Sequence, residues 1–204
     1  MSLSLSNLKM VTWISGMFKG ILGALGLYYK NANIVFVGLD NSGKTTLLEM
    51  LKDDKYTQHL PTQQPHMEEL TMGKIRFQTF DLGGHEIARK LWRDYCTVAQ
   101  AIIFLVDAAA KSRFGGAKKE LDSILNLPEL NNVPVAILGN KIDKKGAASE
   151  DELRESLGLP YELTWGKEKN KKTGTGRPIE IFMCSVAKRM GYIEAFQWIS
   201  TFLD

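Results

Sequence analysis

The sequence predicts an α/β domain, a six-stranded, mostly parallel sheet with helices on both faces. Short β-branched apolar runs alternate with helical stretches along most of the chain, and strands spaced in that way need βαβ crossovers. One pair of runs instead alternates apolar and polar residues on either side of a glycine, as an antiparallel hairpin does. The 204 residues, 44% hydrophobic and 24% charged, have the size and balance of one soluble domain. A chain of this length buries roughly 70% of its unfolded surface, so it needs no disulfide staples. Disordered, collagen-like and disulfide-scaffold classes are excluded.

The first thirty residues stand apart. From Met10 to Tyr29 the only charge is Lys19. A transmembrane helix needs about 20 strongly apolar residues, whereas this stretch carries Thr12, Ser15, Gly16, Gly20, Gly23 and Gly26. A signal peptide fits the length and the leading Lys9, but it would carry the chain away from the ligand its motifs call for. The third reading is an amphipathic helix. Met10, Trp13, Ile14, Met17, Phe18, Ile21, Leu22, Leu25 and Tyr28 recur at three- and four-residue steps, with the small and polar residues mostly opposite. Such a helix can enter a membrane surface or pack on the core, and the pattern alone allows both. We therefore divide the chain into a segment 1–30 and a domain 31–204.

Within the domain, ANIVFVG (32–38) reads as a buried strand ending in a Gly-rich turn, and TTLLEMLK (45–52) as a helix. Residues 53–66 are polar and contain Pro61 and Pro65, so they form a loop. MEELTM and KIRFQTF flank Gly73 as a hairpin. AIIFLVDA (101–108), VPVAILGN (133–140) and PIEIFMCS (178–185) are three further strands, with helices expected near 86–95, 115–127, 149–157 and 190–203. GKEKNKKTGTGR (166–177) reads as a solvated basic loop. Cys96 and Cys184 sit in apolar contexts and read as two buried free thiols in a reducing compartment. A balance of 26 basic to 23 acidic residues, net +3, gives no argument for a nucleic-acid partner.

The chemistry lies in three motifs. Gly38-Leu39-Asp40-Asn41-Ser42-Gly43-Lys44-Thr45 matches G-x-x-x-x-G-K-[ST] between a strand and a helix, which is the context this phosphate-binding loop demands. Successive amides from Asp40 to Thr46 and the helix N-terminus form an anion nest. Lys44 supplies charge to the β- and γ-phosphates, and the Thr45 hydroxyl is placed to ligate Mg²⁺. Asp81-Leu82-Gly83-Gly84 follows a strand, where a carboxylate can hold Mg²⁺ and Gly84 can offer its N–H to the γ-phosphate. Asn140-Lys141-Ile142-Asp143 ends another strand, and the Asp143 carboxylate can accept from both N1–H and the 2-amino group of guanine. Adenine has neither donor, so the site selects GTP over ATP. Asn140 and Lys141 would brace this loop against the phosphate loop, and Ser185, Val186 and Ala187 would line the base. Thr62 is the remaining hydroxyl able to reach the metal when a γ-phosphate is present. Asp40, Asn41, Ser42, Gly43 and Thr46 complete the nucleotide contacts.

These motifs span Gly38 to Ala187, and with GLDNSGKTTLL (38–48), TFDLGGHEIARKLW (79–92), PVAILGNKID (134–143) and FMCSVAKRMGYIEAFQWIS (182–200) the chain resembles the Ras-like small GTPases. Within them it is similar to the Arf/Sar branch and its Sar type, the GTPases of the COPII vesicle coat. Ser2 and His85 stand where Arf proteins carry a myristoylated glycine and a glutamine, as in Sar proteins, so N-myristoylation is not expected. The resemblance implies a P-loop NTPase fold (a Ras-like G domain) that binds GTP or GDP with Mg²⁺. It implies a switch on the cytosolic face of the endoplasmic reticulum, cycling with the cytosol and serving traffic to the Golgi. A membrane-bound exchange factor would release GDP, and GTP would free Trp13, Ile14, Met17, Phe18, Ile21, Leu22 and Leu25 to enter membrane lipids. The inner COPII coat heterodimer would then be recruited and act as GTPase activator, with His85 positioning the attacking water and Gly84 and Lys44 completing the catalytic set. A scaffold that holds GTP without turnover is the rival reading, and a P-loop kinase or ATPase, which Asp143 contradicts, a distant third.

Overall fold

In the computed structural model, which describes Gly23 and residues 32–53, 66–72, 75–81, 96–168 and 176–203, six strands make one sheet. They are β1 (Ala32–Val37), β2 (His66–Met72), β3 (Ile75–Asp81), β4 (Ala101–Asp107), β5 (Val135–Asn140) and β6 (Ile179–Met183). The order is β2-β3-β1-β4-β5-β6, and every neighbouring pair is parallel except the hairpin β2–β3, in which Met72 faces Ile75 and His66 faces Asp81. The expected six-stranded, mostly parallel architecture is the observed one.

Among the described residues four α-helices cover the sheet: α1 (Lys44–Asp53), α2 (Phe114–Leu125), α3 (Glu150–Leu157) and α4 (Tyr192–Ser200). Alternate residues of each inner strand serve opposite layers. Ile34 and Phe36 of β1 join Ile103, Leu105 and Leu138 beneath α1 and α4, where Leu47, Phe196 and Ile199 close the layer. Val35 and Val37 join Ile102, Phe104 and Ile137 under α2 and α3, with Leu121, Ile124 and Leu153. Burial on both faces is why these strands read as continuous apolar runs rather than alternating ones. Each such side chain contributes roughly 1.5–3 kcal/mol on leaving water.

The helix boundaries follow local chemistry. Ser149 accepts from the Glu152 N–H at 3.2 Å while the Glu152 carboxylate accepts from the Ser149 N–H at 2.9 Å, a reciprocal cap that starts α3. Gly158, at φ 70°, ends it in the left-handed region that a side chain disfavours.

β1 pairs with β3 on one side and β4 on the other, so the connections leave it in opposite directions. The parallel strands also deliver their C-terminal ends to one edge of the sheet. Such an edge, at a reversal of strand order, is where α/β sheets hold ligands.

In the basic loop Lys167, Glu168 and Gly176 are exposed as expected, while Gly166 and Arg177 at its two ends are half-buried. The Gly166 N–H donates to the buried Glu180 carboxylate at 2.6 Å, and Lys167 pairs with Glu150 at 2.6 Å. Arg177 is half-buried and donates to the Leu127 carbonyl. Gly166 and Lys167 thus tie the start of the loop to β6 and α3. Residues 1–22, 24–31 and 82–95, and with them the expected N-terminal and 86–95 helices, lie outside the described residues. Among the described residues no helix is long and apolar enough to cross a membrane.

Candidate nucleotide-binding site

The loop between β1 and α1 takes a path that only its own residues permit. Gly38 has φ +137° and Gly43 φ +103°, and Asn41, at φ 59°, also adopts the left-handed region. A Cβ on Gly38 would stand 2.2 Å from the Leu105 carbonyl oxygen, and one on Gly43 2.3 Å from Asn140 Nδ2. The loop therefore lies flush against β4 and the end of β5. Lys44 opens α1 and is almost fully buried, with Nζ donating to the Gly38 and Leu39 carbonyls at 2.9 and 2.8 Å. A buried ammonium inside a turn of consecutive amides, at a helix N-terminus, fits a polyphosphate. Thr45 and Thr46 follow in the first turn, half-buried.

Magnesium would suit the donor types the sequence offers at these positions, a hydroxyl on Thr45 in the first turn of α1 and a carboxylate on Asp81, both hard ligands. In the β1–β3 register Phe36 faces Thr79, so Asp81 ends β3 level with Gly38, one residue beyond β1. The Asp81 side chain, Thr62, Gly84 and His85 lie outside the described residues, as do Trp13, Ile14, Met17, Phe18, Ile21, Leu22 and Leu25.

The loop after β5 is tied to the phosphate loop. Asn140 Nδ2 donates to the Ser42 carbonyl at 2.9 Å, and Asn140 Oδ1 accepts from the Val186 and Lys141 amides at 3.0 and 2.8 Å. Lys141, at φ 68°, sends Nζ back to the Asn41 carbonyl at 2.5 Å and the Asp107 carboxylate at 2.7 Å. Two residues on, Asp143 Oδ1 accepts from the Ser185 hydroxyl at 2.5 Å. The Ser185 oxygen accepts in turn from the Lys188 N–H at 3.0 Å, which fixes the hydroxyl's direction. The structure thus gathers Asn41, Ser42, Gly43, Lys44, Asn140, Lys141, Asp143, Ser185 and Val186 at one edge, with Ala187 beside them.

Two members of this network were not singled out from sequence, and a third, Ser185, was expected beside the base but not as the partner of Asp143. Asp107 ends β4 and anchors Lys141, Arg113 reaches Asp40, and the Ser185 hydroxyl orients Asp143. The spacing between β4 and the Asn-Lys-Ile-Asp segment carries no signal of the first. The third was legible in principle, since a serine ending β6 beside β5 must reach the loop that follows β5.

Comparison with known proteins identifies the family. The model of the ADP-ribosylation factor family matches residues 18–203. A relative from Giardia intestinalis, the small COPII coat GTPase SAR1, is 50% identical over 186 residues, covering 91% of this chain and 97% of its own. The protein of the same name from Nicotiana tabacum is 44% identical over 192 residues, covering 91% and 96%. ADP-ribosylation factor-like protein 8b of Arabidopsis thaliana is 32% identical over 187 residues, covering 90% and 95%. A loop that fits phosphates and a family match over nearly the whole domain converge: the chain is a GTP hydrolase and belongs to the ADP-ribosylation factor family, within it to the Sar-type GTPases.

Proposed function

We propose that this chain is the membrane-cycling switch of COPII coat assembly. In the GDP state the apolar stripe of residues 8–28 folds back on the domain. GTP remodels the groove that holds it, through the hairpin β2–β3 between the two nucleotide-sensing loops. Trp13, Ile14, Met17, Phe18, Ile21, Leu22 and Leu25 then enter the endoplasmic reticulum membrane from the cytoplasmic side. The observation that carries the reading is the 50% identity over nine-tenths of the chain to a protein named as a small COPII coat GTPase. The amphipathic stripe supports it. These side chains gain on the order of 10 kcal/mol gross on leaving water, which partial insertion and helix ordering reduce to a reversible affinity.

Asp143 reads the base, with Ser185, Val186 and Ala187 around it. Lys44, Thr46 and the loop amides of Asp40 to Gly43 hold the phosphates. Thr45, Thr62 and Asp81 would hold Mg²⁺, which supplies charge neutralisation at the phosphates when bound. Gly84 offers its N–H to the γ-phosphate, and His85 positions the attacking water, completed by an arginine from the inner COPII coat heterodimer acting as activator. In related systems such an arginine is worth about 10³–10⁵ in rate. A membrane-bound exchange factor returns the chain to GTP, and the protein cycles between cytosol and the endoplasmic reticulum on the way to the Golgi.

Liposome flotation tests the switch. Full-length protein should float with a non-hydrolysable GTP analogue and much less with GDP, and a chain starting near Lys30 should float with neither. Nucleotide-independent flotation would make the helix a constitutive anchor and overturn the gating. Single-turnover hydrolysis tests the chemistry: His85→Gly should bind GTP normally yet lose the stimulation that the inner coat gives the parent. Equal stimulated rates would remove His85 from the mechanism.

A further inference from the structure

Asp40 is an electrostatic anomaly within the site. It lies in the loop whose amides and lysine fit phosphates, yet it contributes a carboxylate, and a fixed anion a few ångströms from a polyphosphate repels it. The structure gives that carboxylate a partner from 73 positions away. Arg113, at the end of the short 3-10 turn Lys111–Arg113 that leads from β4 into α2, donates through Nη1 to the Asp40 carbonyl at 2.9 Å. Its Nη2 donates to the Asp40 carboxylate. Together the two side chains border a small pocket lined by Leu39, Phe114 and Ala117, on the flank of the loop that faces α2.

The guanidinium therefore does two things at once. It fixes the loop's backbone at the residue before Asn41, and it draws the carboxylate toward α2. The Arg113 hydrogen bond holds the Asp40 carboxyl below the usual carboxylate range, against the upward push of its partial burial, with Lys44 the weakest of the attractions. Asp40 is thus an anion at neutral pH, and the site has to neutralise it.

We propose that Arg113 is a charge-compensating positioning residue of the nucleotide site, and that its pairing with Asp40 favours the triphosphate over the diphosphate. The inference rests on the phosphate-loop reading. The γ-phosphate adds roughly one net negative charge at neutral pH, because it carries the second ionisation that the terminal β-phosphate gives up. An uncompensated Asp40 therefore weakens GTP more than GDP. Both side chains are about one-third exposed, 38% for Arg113 and 34% for Asp40, so salt screens the effect.

Equilibrium affinities of the full-length chain for GDP and a non-hydrolysable GTP analogue, at low and high salt, decide it. Arg113→Ala should lower the GTP-to-GDP affinity ratio about tenfold at low salt and much less at high salt. Adding Asp40→Asn to that variant should restore the ratio, because the repelling charge is gone. Arg113→Gln, which keeps hydrogen-bond donors but no charge, should behave as Arg113→Ala does and serves if the alanine variant fails to fold. Loss of affinity for both nucleotides in equal proportion, or no restoration by Asp40→Asn, would make Arg113 a structural hold on the loop and overturn the proposal. A parent chain that binds neither nucleotide would instead defeat the phosphate-loop reading, so the two failures are distinguishable.

Discussion

Asn140 and Ser42, 98 positions apart in sequence, meet at 2.9 Å through the Asn140 amide and the Ser42 carbonyl. Since Asn140 Oδ1 also accepts from the Val186 and Lys141 N–H groups, one buried side chain joins the loops that follow β1, β5 and β6. The loop after β1 and the loops after β5 and β6 are thereby one mechanical unit, and a shift in either is felt by the other.

Asn140→Ala should accordingly damage both stability and binding. It strands the Ser42 carbonyl and the Val186 N–H in a buried setting, at about 1–3 kcal/mol for each unpaired group. Urea unfolding of the GDP-bound chain should show a loss of about 2 kcal/mol or more, with faster GDP release. Unchanged release rates would mean that these loops are not coupled through this amide.

Two glycines make opposite predictions. Gly43→Ala puts a methyl 2.3 Å from Asn140 Nδ2 at φ +103°, so the amide must leave Ser42 or the loop must move. Nucleotide affinity should collapse while the far-ultraviolet circular dichroism stays that of the parent. Gly115 lies exposed in the first turns of α2, where a Cβ meets nothing within 4 Å. Gly115→Ala should stabilise by roughly 0.5–1 kcal/mol, read from urea midpoints.

Cys96 and Cys184 are both free, buried, and pushed up to about 12 by that burial. Thiol reagents attack the thiolate, so neither should react at pH 8 until the chain unfolds. Linkage gives the sign for alkali. Below the unfolded value of 9.0 both states carry the proton and nothing changes with pH. Between there and about 12 only the unfolded state ionises, so stability should fall by about 1.4 kcal/mol per pH unit for each thiol. Replacing both with alanine should flatten that slope in urea titrations. A slope that persists unchanged would assign it to other groups.

The sheet was legible because burial on both faces writes itself into sequence as runs such as AIIFLVDA and VPVAILGN, and the structure trims each end by only a few residues. The phosphate and guanine motifs were legible for a different reason: each needs particular residue types at fixed spacing, whatever surrounds it. Pairs that meet only through tertiary packing left no such trace. Nothing near Arg113 points to Asp40, and nothing in IEIFM reveals that Glu180 is 1% exposed and paired with Arg154. A glutamate in a strand pattern reads as solvent-facing, and here an arginine from α3 overrides that reading.

That buried pair is open to a stability test. Arg154 donates to Glu180 and Glu150 and to Thr164 Oγ1 at 3.1 Å, while Glu180 also accepts from the Gly166 and Ile181 amides at 2.6 and 2.8 Å. Arg154→Met leaves the Glu180 charge buried and without its guanidinium, which should cost about 3–5 kcal/mol. The double variant Arg154→Met/Glu180→Gln removes the stranded charge and keeps an acceptor for Gly166, so it should recover more than half of the loss in urea unfolding. Equal destabilisation of single and double variants would show that packing, not charge, holds this corner.

Base selection gives the sharpest test of the site. The Asp143 carboxylate is aimed by the Ser185 hydroxyl at 2.5 Å, and that hydroxyl is itself fixed by the Lys188 N–H. A carboxylate so held can accept from two guanine donors, and an amide in its place can instead donate to the 2-oxo group of xanthine. Asp143→Asn should therefore lose GTP by about 10⁴, since its donor would face the guanine 2-amino group, and gain xanthosine triphosphate. Ser185→Ala should act differently, because it loosens the carboxylate without changing its chemistry. Affinity for GTP should fall about tenfold, in line with the loss of one charge-assisted hydrogen bond, with guanine still preferred over xanthine. Competition binding of the two triphosphates to parent and variants reads both effects. If Asp143→Asn held GTP as tightly as the parent, the carboxylate would not be reading the base, and the pairing with Ser185 would be a feature of the loop alone.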